Sequence, residues 1–138
     1  MAADGLAIDG LTTIASSLGP KQTMDRLEAE IKAKGLTVFA RVDHAAGAAA
    51  VGMALRPTEV VLFGNARGGT ALMQASQTAG IDLPLKCLVW QDEAGKTWLS
   101  YNDPGWIAHR HRLGAQTDAA VNAMTAMLAA VTKSAASS

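Results

Sequence analysis

The stretch Leu55 to Lys86, LRPTEVVLFGNARGGTALMQASQTAGIDLPLK, constrains the fold of this chain more than any other. Val60, Val61, Leu62 and Phe63 form an unbroken apolar run between Glu59 and Gly64. A run this short, bounded by a charge and a turn former, reads as a strand covered on both faces. Gly64, Gly68 and Gly69 then lead to Thr70, which predicts a helix over 70–79 with Thr70 as its N-cap and Gly80 as its stop. Ile81 to Pro84 makes a rigid connection to the next strand.

The flanking sequence supplies elements for this unit to pack against. Gly10 to Ser17, with Leu11, Ile14 and the β-branched Thr12 and Thr13, reads as a strand. Pro20 suits the first position of a helix in which Met24, Leu27 and Ile31 line one face. Glu28 with Lys32 and Glu30 with Lys34 add ~0.3 kcal/mol each on its solvated side, and Gly35 ends it. Thr37 to Asp43 alternates as a strand. His44 to Leu55 is an alanine and glycine helix able to lie close to a sheet, bounded by Arg56 before Pro57.

Leu85 to Gln91 and Lys96 to Tyr101 flank a turn at Asp92 to Gly95 and form a hairpin. Pairing Gln91 with Lys96 sets Leu88 opposite Leu99 and Lys86 opposite Tyr101, and a bulge would shift that by one. Asp103 and Pro104 start a short helix to about Arg112, and Asp118 to Thr132 is a longer one with Val121, Met124, Leu128 and Val131 on one face. Residues 1–10 and 133–138 are expected to be loose. The expectation is one α+β domain over 1–138, a mainly antiparallel sheet of about five strands with helices packed on it.

With 49% apolar and 17% charged residues, the chain is too hydrophobic for disorder. Twelve basic residues against twelve acidic ones give no reason to expect a nucleic acid, although Arg110 and Arg112 form a local basic patch. No segment reads as a signal peptide or a membrane span. A single cysteine allows no intrachain disulfide, so the cytoplasm is the expected compartment.

No sequence motif names a reaction. The Gly64 to Thr70 turn lacks the Lys that a phosphate loop needs after its last glycine, so a structural turn is favoured over an anion site. His109 and His111 are two apart and read as solvated helix residues. Cys87 reads as structural burial, and the tryptophans Trp90, Trp98 and Trp106 as core or interface anchors. No metal site or cofactor is expected.

The segments GLTVFARVDHAAGA, LRPTEVVLFGN, GTALMQASQTAGIDLPLKCLVW and WLSYNDPGWIAHRH, in order over about Leu27 to His111, resemble the family called domain of unknown function 302. The resemblance implies a single copy of a fold similar to the TATA-binding-protein architecture, commonly paired as a homodimer, with no reaction or cofactor to carry over. Ala66 and Arg67 stand where the family usually has proline after the Gly-Asn pair.

Polar groups gather at expected strand ends and turns of an otherwise apolar chain: His44, Arg56, Asn65, Asp82, Lys86 and Tyr101. The leading expectation is that they converge on a small polar or anionic ligand. One alternative is an enzyme with His44 as general acid or base, Lys86 stabilising negative charge and Tyr101 orienting substrate. The other is an assembly module with no ligand.

Overall fold

A computed structural model of the chain describes residues 7–137. Its sheet has five strands, β1 (Leu11–Ser16), β2 (Thr37–Asp43), β3 (Thr58–Gly64), β4 (Leu85–Gln91) and β5 (Thr97–Asn102). All pairings are antiparallel, in the order β1-β5-β4-β3-β2. The helices are α1 (Pro20–Ala33), α2 (His44–Ala50), α3 (Ala66–Ala75), α4 (Pro104–Arg110) and α5 (Asp118–Ala135), with short 3-10 turns at Gln77–Ile81 and Ala115–Thr117. The α+β class and the mainly antiparallel sheet are as the sequence pattern implies.

Side-chain alternation sorts the sheet into two faces. Val61 and Phe63, Leu85, Cys87 and Val89, and Leu99 and Tyr101 point to one side. There they meet Met24, Leu27 and Ile31 of α1 and Leu128, Val131 and Ala135 of α5. Leu27, Ile31, Leu99 and Leu128 have no exposed surface, so truncating any of them to alanine costs about 2–5 kcal/mol. A second cluster of Leu72, Ala79 and Val121 joins α3 to α5.

The other face is where β3 departs from expectation. Val60 and Leu62 are only half-buried, as are Leu88 and Trp90 beside them, so β3 is covered on one face and not on both. A row Val42, Val60, Leu88, Ser100, Thr13 crosses this side of the sheet. Trp90 and Trp98 stack on it with ring centroids 6.2 Å apart.

Three further departures have local causes. Helix α3 begins at Ala66, four residues before Thr70, because the Asn65 side chain accepts from the Gly68 N–H at 2.7 Å and caps it there. In the β4–β5 hairpin Asp92 replaces Gln91 as the last paired residue: its N–H donates to the Lys96 carbonyl, and Gly95 has φ +85°. Cys87 therefore faces Tyr101, and Leu88 faces Ser100. Where the sequence suggests a fraying tail, α5 runs to Ala135 and the Ala136 carbonyl accepts from the Ser17 N–H at 2.8 Å, while residue 138 lies outside the described residues. At the other terminus, residues 1–6 lie outside the described residues.

Arg41, on the helix side of β2, ties α1 to the sheet. Its guanidinium donates to Glu59 on β3 and to Glu28 and Asp25 on α1, at 2.8 to 3.1 Å. Hydrogen bonds from Lys21 and Arg41 hold the Asp25 carboxyl below its ordinary value, and those from Lys32 and Arg41 do the same for Glu28. A lowered carboxylate value contributes stability at neutral pH that is lost as pH falls through it. Arg41→Met should lower stability by about 1 kcal/mol at neutral pH, because all three carboxylates remain partly solvated. It should also flatten the decline in stability below about pH 4, checked by urea unfolding across pH.

Candidate functional site

The six polar residues expected to share a site are distributed over the molecule. His44 opens α2 and is exposed, beside Asp43, whose carboxylate accepts from the Ala46 N–H at 2.9 Å. Arg56 is exposed just before β3 and donates from Nε to the Gln91 carbonyl at 3.3 Å. Asn65 sits beyond the far end of β3, and a seven-residue strand puts the two ends about 20 Å apart. Asp82 lies near Asn65's end of the sheet but bonds to Arg110 and His111.

The one-residue shift in the hairpin separates the remaining pair. Tyr101 faces the helices and is 7% exposed, and burial together with the Asp103 carboxylate raises its phenol above the ordinary value. Lys86 lies on the opposite face, its ammonium donating to the Pro84 carbonyl at 3.1 Å and the Asp82 carbonyl at 3.4 Å. His44, Lys86 and Tyr101 therefore do not form one catalytic constellation, and the six residues do not enclose one pocket. Polarity at a strand end shows that a group meets solvent, and says nothing about which other end it meets.

The structure does form a pocket at Asn65. A groove of about 490 Å³ runs between α3, α5, the start of β2 and the connection into β4. Met73, Met124 and Met127 line it with Phe39 and Leu83, and Asn65 and Thr70 supply polar groups. Gly68 and Gly69 form the α3 wall: a Cβ at Gly69 would touch Leu83 and Met73 at 3.8 Å, so glycine keeps this side of the groove open. Asn65 Oδ1 takes up the Gly68 N–H, which removes one of the donors that an anion at this helix end would need. The groove suits apolar ligands, and unbranched methionines let its walls adjust.

Helical spacing alone signals neither a lining residue of the groove nor a buried histidine that lies outside it. It puts Met124 on the buried stripe of α5, and with Met127 this residue also borders the groove. The two-residue spacing from His109 predicts a solvated helix residue at His111, but α4 ends at Arg110 and the His111 side chain is 7% exposed. Helical spacing gave no signal for a residue just past the helix.

The profile described as "Domain of unknown function DUF302" matches residues 12–131. The chain belongs to this family. The crystal structure of an uncharacterized conserved DUF302 protein from Bacillus stearothermophilus superposes with a TM-score of 0.82 at 20% identity, covering 93% of this chain and 99% of that one. That likeness shows the shared fold. Two curated relatives, each named fluoride-specific ion channel FluC 1, come from Brucella suis biovar 1 (strain 1330) and Brucella abortus biovar 1 (strain 9-941). Both are 48% identical over 127 residues, 92% of this chain. The chain spans 50% and 47% of their respective lengths. Among the described residues no helix is long and apolar enough to cross a membrane.

Cys87 illustrates how closed the DUF302 core is. Its thiol sits between Val61 and Tyr101 in the sheet, and burial pushes its pKa up to about 12. Alkylation by iodoacetamide should therefore follow global unfolding, with folded protein unlabelled at neutral pH and fully labelled in denaturing urea, as read by mass spectrometry.

Proposed function

We propose that this DUF302 domain is a binding module that holds a small, mostly apolar molecule in the groove between α3 and α5. The observation that carries this reading is the lining: a concave, methionine-rich wall with Asn65 and Thr70 as its polar groups. Such a site orients a ligand by one hydrogen-bonding end and takes its affinity from burial of the rest. A polar or anionic metabolite would gain little there, so the ligand class differs from the one the sequence suggests.

The reading extends to the relatives. Each FluC-named Brucella protein is about twice as long as the stretch this chain matches. We assign the present domain to a companion role and the ion pathway to the remainder of those proteins. The cytoplasm stays the proposed compartment on the strength of a single, free cysteine.

A medium-chain carboxylate such as decanoate, with the matching alcohol, tests the groove by thermal shift. A ligand at about a hundredfold excess over its dissociation constant adds ~2.7 kcal/mol to folded-state stability. Gly69→Leu should fill the groove without backbone strain and abolish the shift while leaving the unliganded protein folded. Equal shifts in both proteins, or none in the parent, would reject the groove as the site.

A second reading concerns assembly, and a specific surface favours it. The helix-free face carries Val42, Val60, Leu62, Leu88 and Trp90, while Val51, Met53 and Leu55 after α2 are exposed. Helix α2 buries no residue, and a seven-residue alanine and glycine helix has little stability of its own. A second copy covering this face would account for its apolar row and fits the pairing that the family resemblance implies. Sedimentation should show a dimer that Leu88→Arg converts to a monomer; a monomeric parent protein would remove this reading.

A further inference from the structure

Outside the groove, the 3-10 turn after α3 and the end of α4 bring together a linear chain of side chains. Thr78 Oγ1 lies 2.9 Å from His111 Nδ1, and His111 Nε2 lies 2.5 Å from Asp82 Oδ2. Arg110 Nη1 donates to both oxygens of Asp82 at 2.9 Å, and Ser76 Oγ is 3.0 Å from Thr78 Oγ1. The His111 and Asp82 side chains are 7% and 12% exposed, whereas Thr78 is open to solvent. We propose that Thr78, His111 and Asp82 form an acyl-transfer site that accepts small activated esters, with the Thr78 hydroxyl as nucleophile.

The direction of each bond follows from charge. A carboxylate facing a guanidinium is ionised and can only accept, so Nε2 of His111 carries a proton toward Asp82. In the neutral ring, Nδ1 is then the acceptor, and the Thr78 O–H points at it. Ser76 donates to Thr78 Oγ1, which keeps a free lone pair toward solvent. A latch between two loops would need only the pairing of Arg110 with Asp82. The imidazole placed between a carboxylate and an exposed hydroxyl adds a base in contact with a nucleophile. Directly after His111, Arg112 holds φ +54°, a conformation unusual for a side chain of its size.

In the step itself, Thr78 Oγ1 bonds to the ester carbonyl carbon while His111 Nδ1 takes the hydroxyl proton. The tetrahedral intermediate collapses, the carbon–oxygen bond to the leaving group breaks, and His111 returns the proton to the departing alcohol. Water then attacks the acyl-threonine with His111 again as base, releasing a carboxylic acid and restoring Thr78. Asp82 positions the ring, and Arg110 positions Asp82. General-base assistance of this kind supplies about 10²–10⁴-fold, which is why an ester with a good leaving group is required.

Incubation of the full chain with p-nitrophenyl acetate, followed by p-nitrophenolate release and peptide mass spectrometry, tests the proposal. The expected result is acetyl on Thr78 and release about 100-fold faster than in His111→Asn, with Thr78→Ser active and Thr78→Val inactive. If His111→Asn does not fold, by circular dichroism, the exposed Thr78→Val substitution carries the comparison alone. Release from Thr78→Val at the parent rate, or acetyl on lysines with Thr78 unmodified, would overturn the proposal.

Discussion

One carboxylate in a tight turn decides which way the middle of the sheet faces. Asp92 accepts from the Ala94 and Lys96 N–H groups through Oδ1, at 3.0 and 2.9 Å, and from Trp98 Nε1 through Oδ2 at 2.9 Å. The Trp98 indole, followed by the Lys96 N–H, holds this carboxyl below its ordinary value. Because strand side chains alternate with period two, a slip of one residue would exchange the two faces of β5 relative to β4. Fixed as it is, the turn sends Cys87, Val89, Leu99 and Tyr101 under α1 and α5, and leaves Lys86, Leu88 and Trp90 on the helix-free side. The separation of Lys86 from Tyr101 follows from it.

The broad plan was readable because burial acts with a simple period. Met24, Leu27 and Ile31 announced the packed side of α1, and alternation located β2 and the hairpin. What failed depended on single polar contacts that no period encodes. Glycines at 68 and 69 suggested a turn, but the Asn65 side chain starts the helix before them. The apolar run of β3 suggested cover on both sides, whereas composition cannot distinguish a helix from a solvent-facing or partner-facing surface. His111 escaped notice because its two contacts come from Thr78 and Asp82, about thirty positions earlier in the chain.

The site expectation failed for a related reason. Three of its six residues are already engaged: Asp82 with Arg110 and His111, Arg56 with the Gln91 carbonyl, and Lys86 with two backbone carbonyls. Groups satisfied within the fold contribute to stability and leave little bonding capacity for a guest. An open groove of mostly apolar lining lies instead where glycines withdraw and methionines line the wall. In a DUF302 chain with no motif of known chemistry, cavity shape is more informative than the roll of polar residues.

The sheet order has a consequence for how the chain is made. Strands β2 to β5 are a meander of neighbours, but β1, which precedes them in the chain, pairs only with β5, and the residue after it bonds to Ala136. On the ribosome β1 must wait, its apolar residues unpaired, until the whole meander through β5 has emerged. Closure of such distant ends comes late and is a period of exposure to wrong partners. Unpaired β1 is, during that interval, the place where a chaperone or a neighbouring nascent chain would bind.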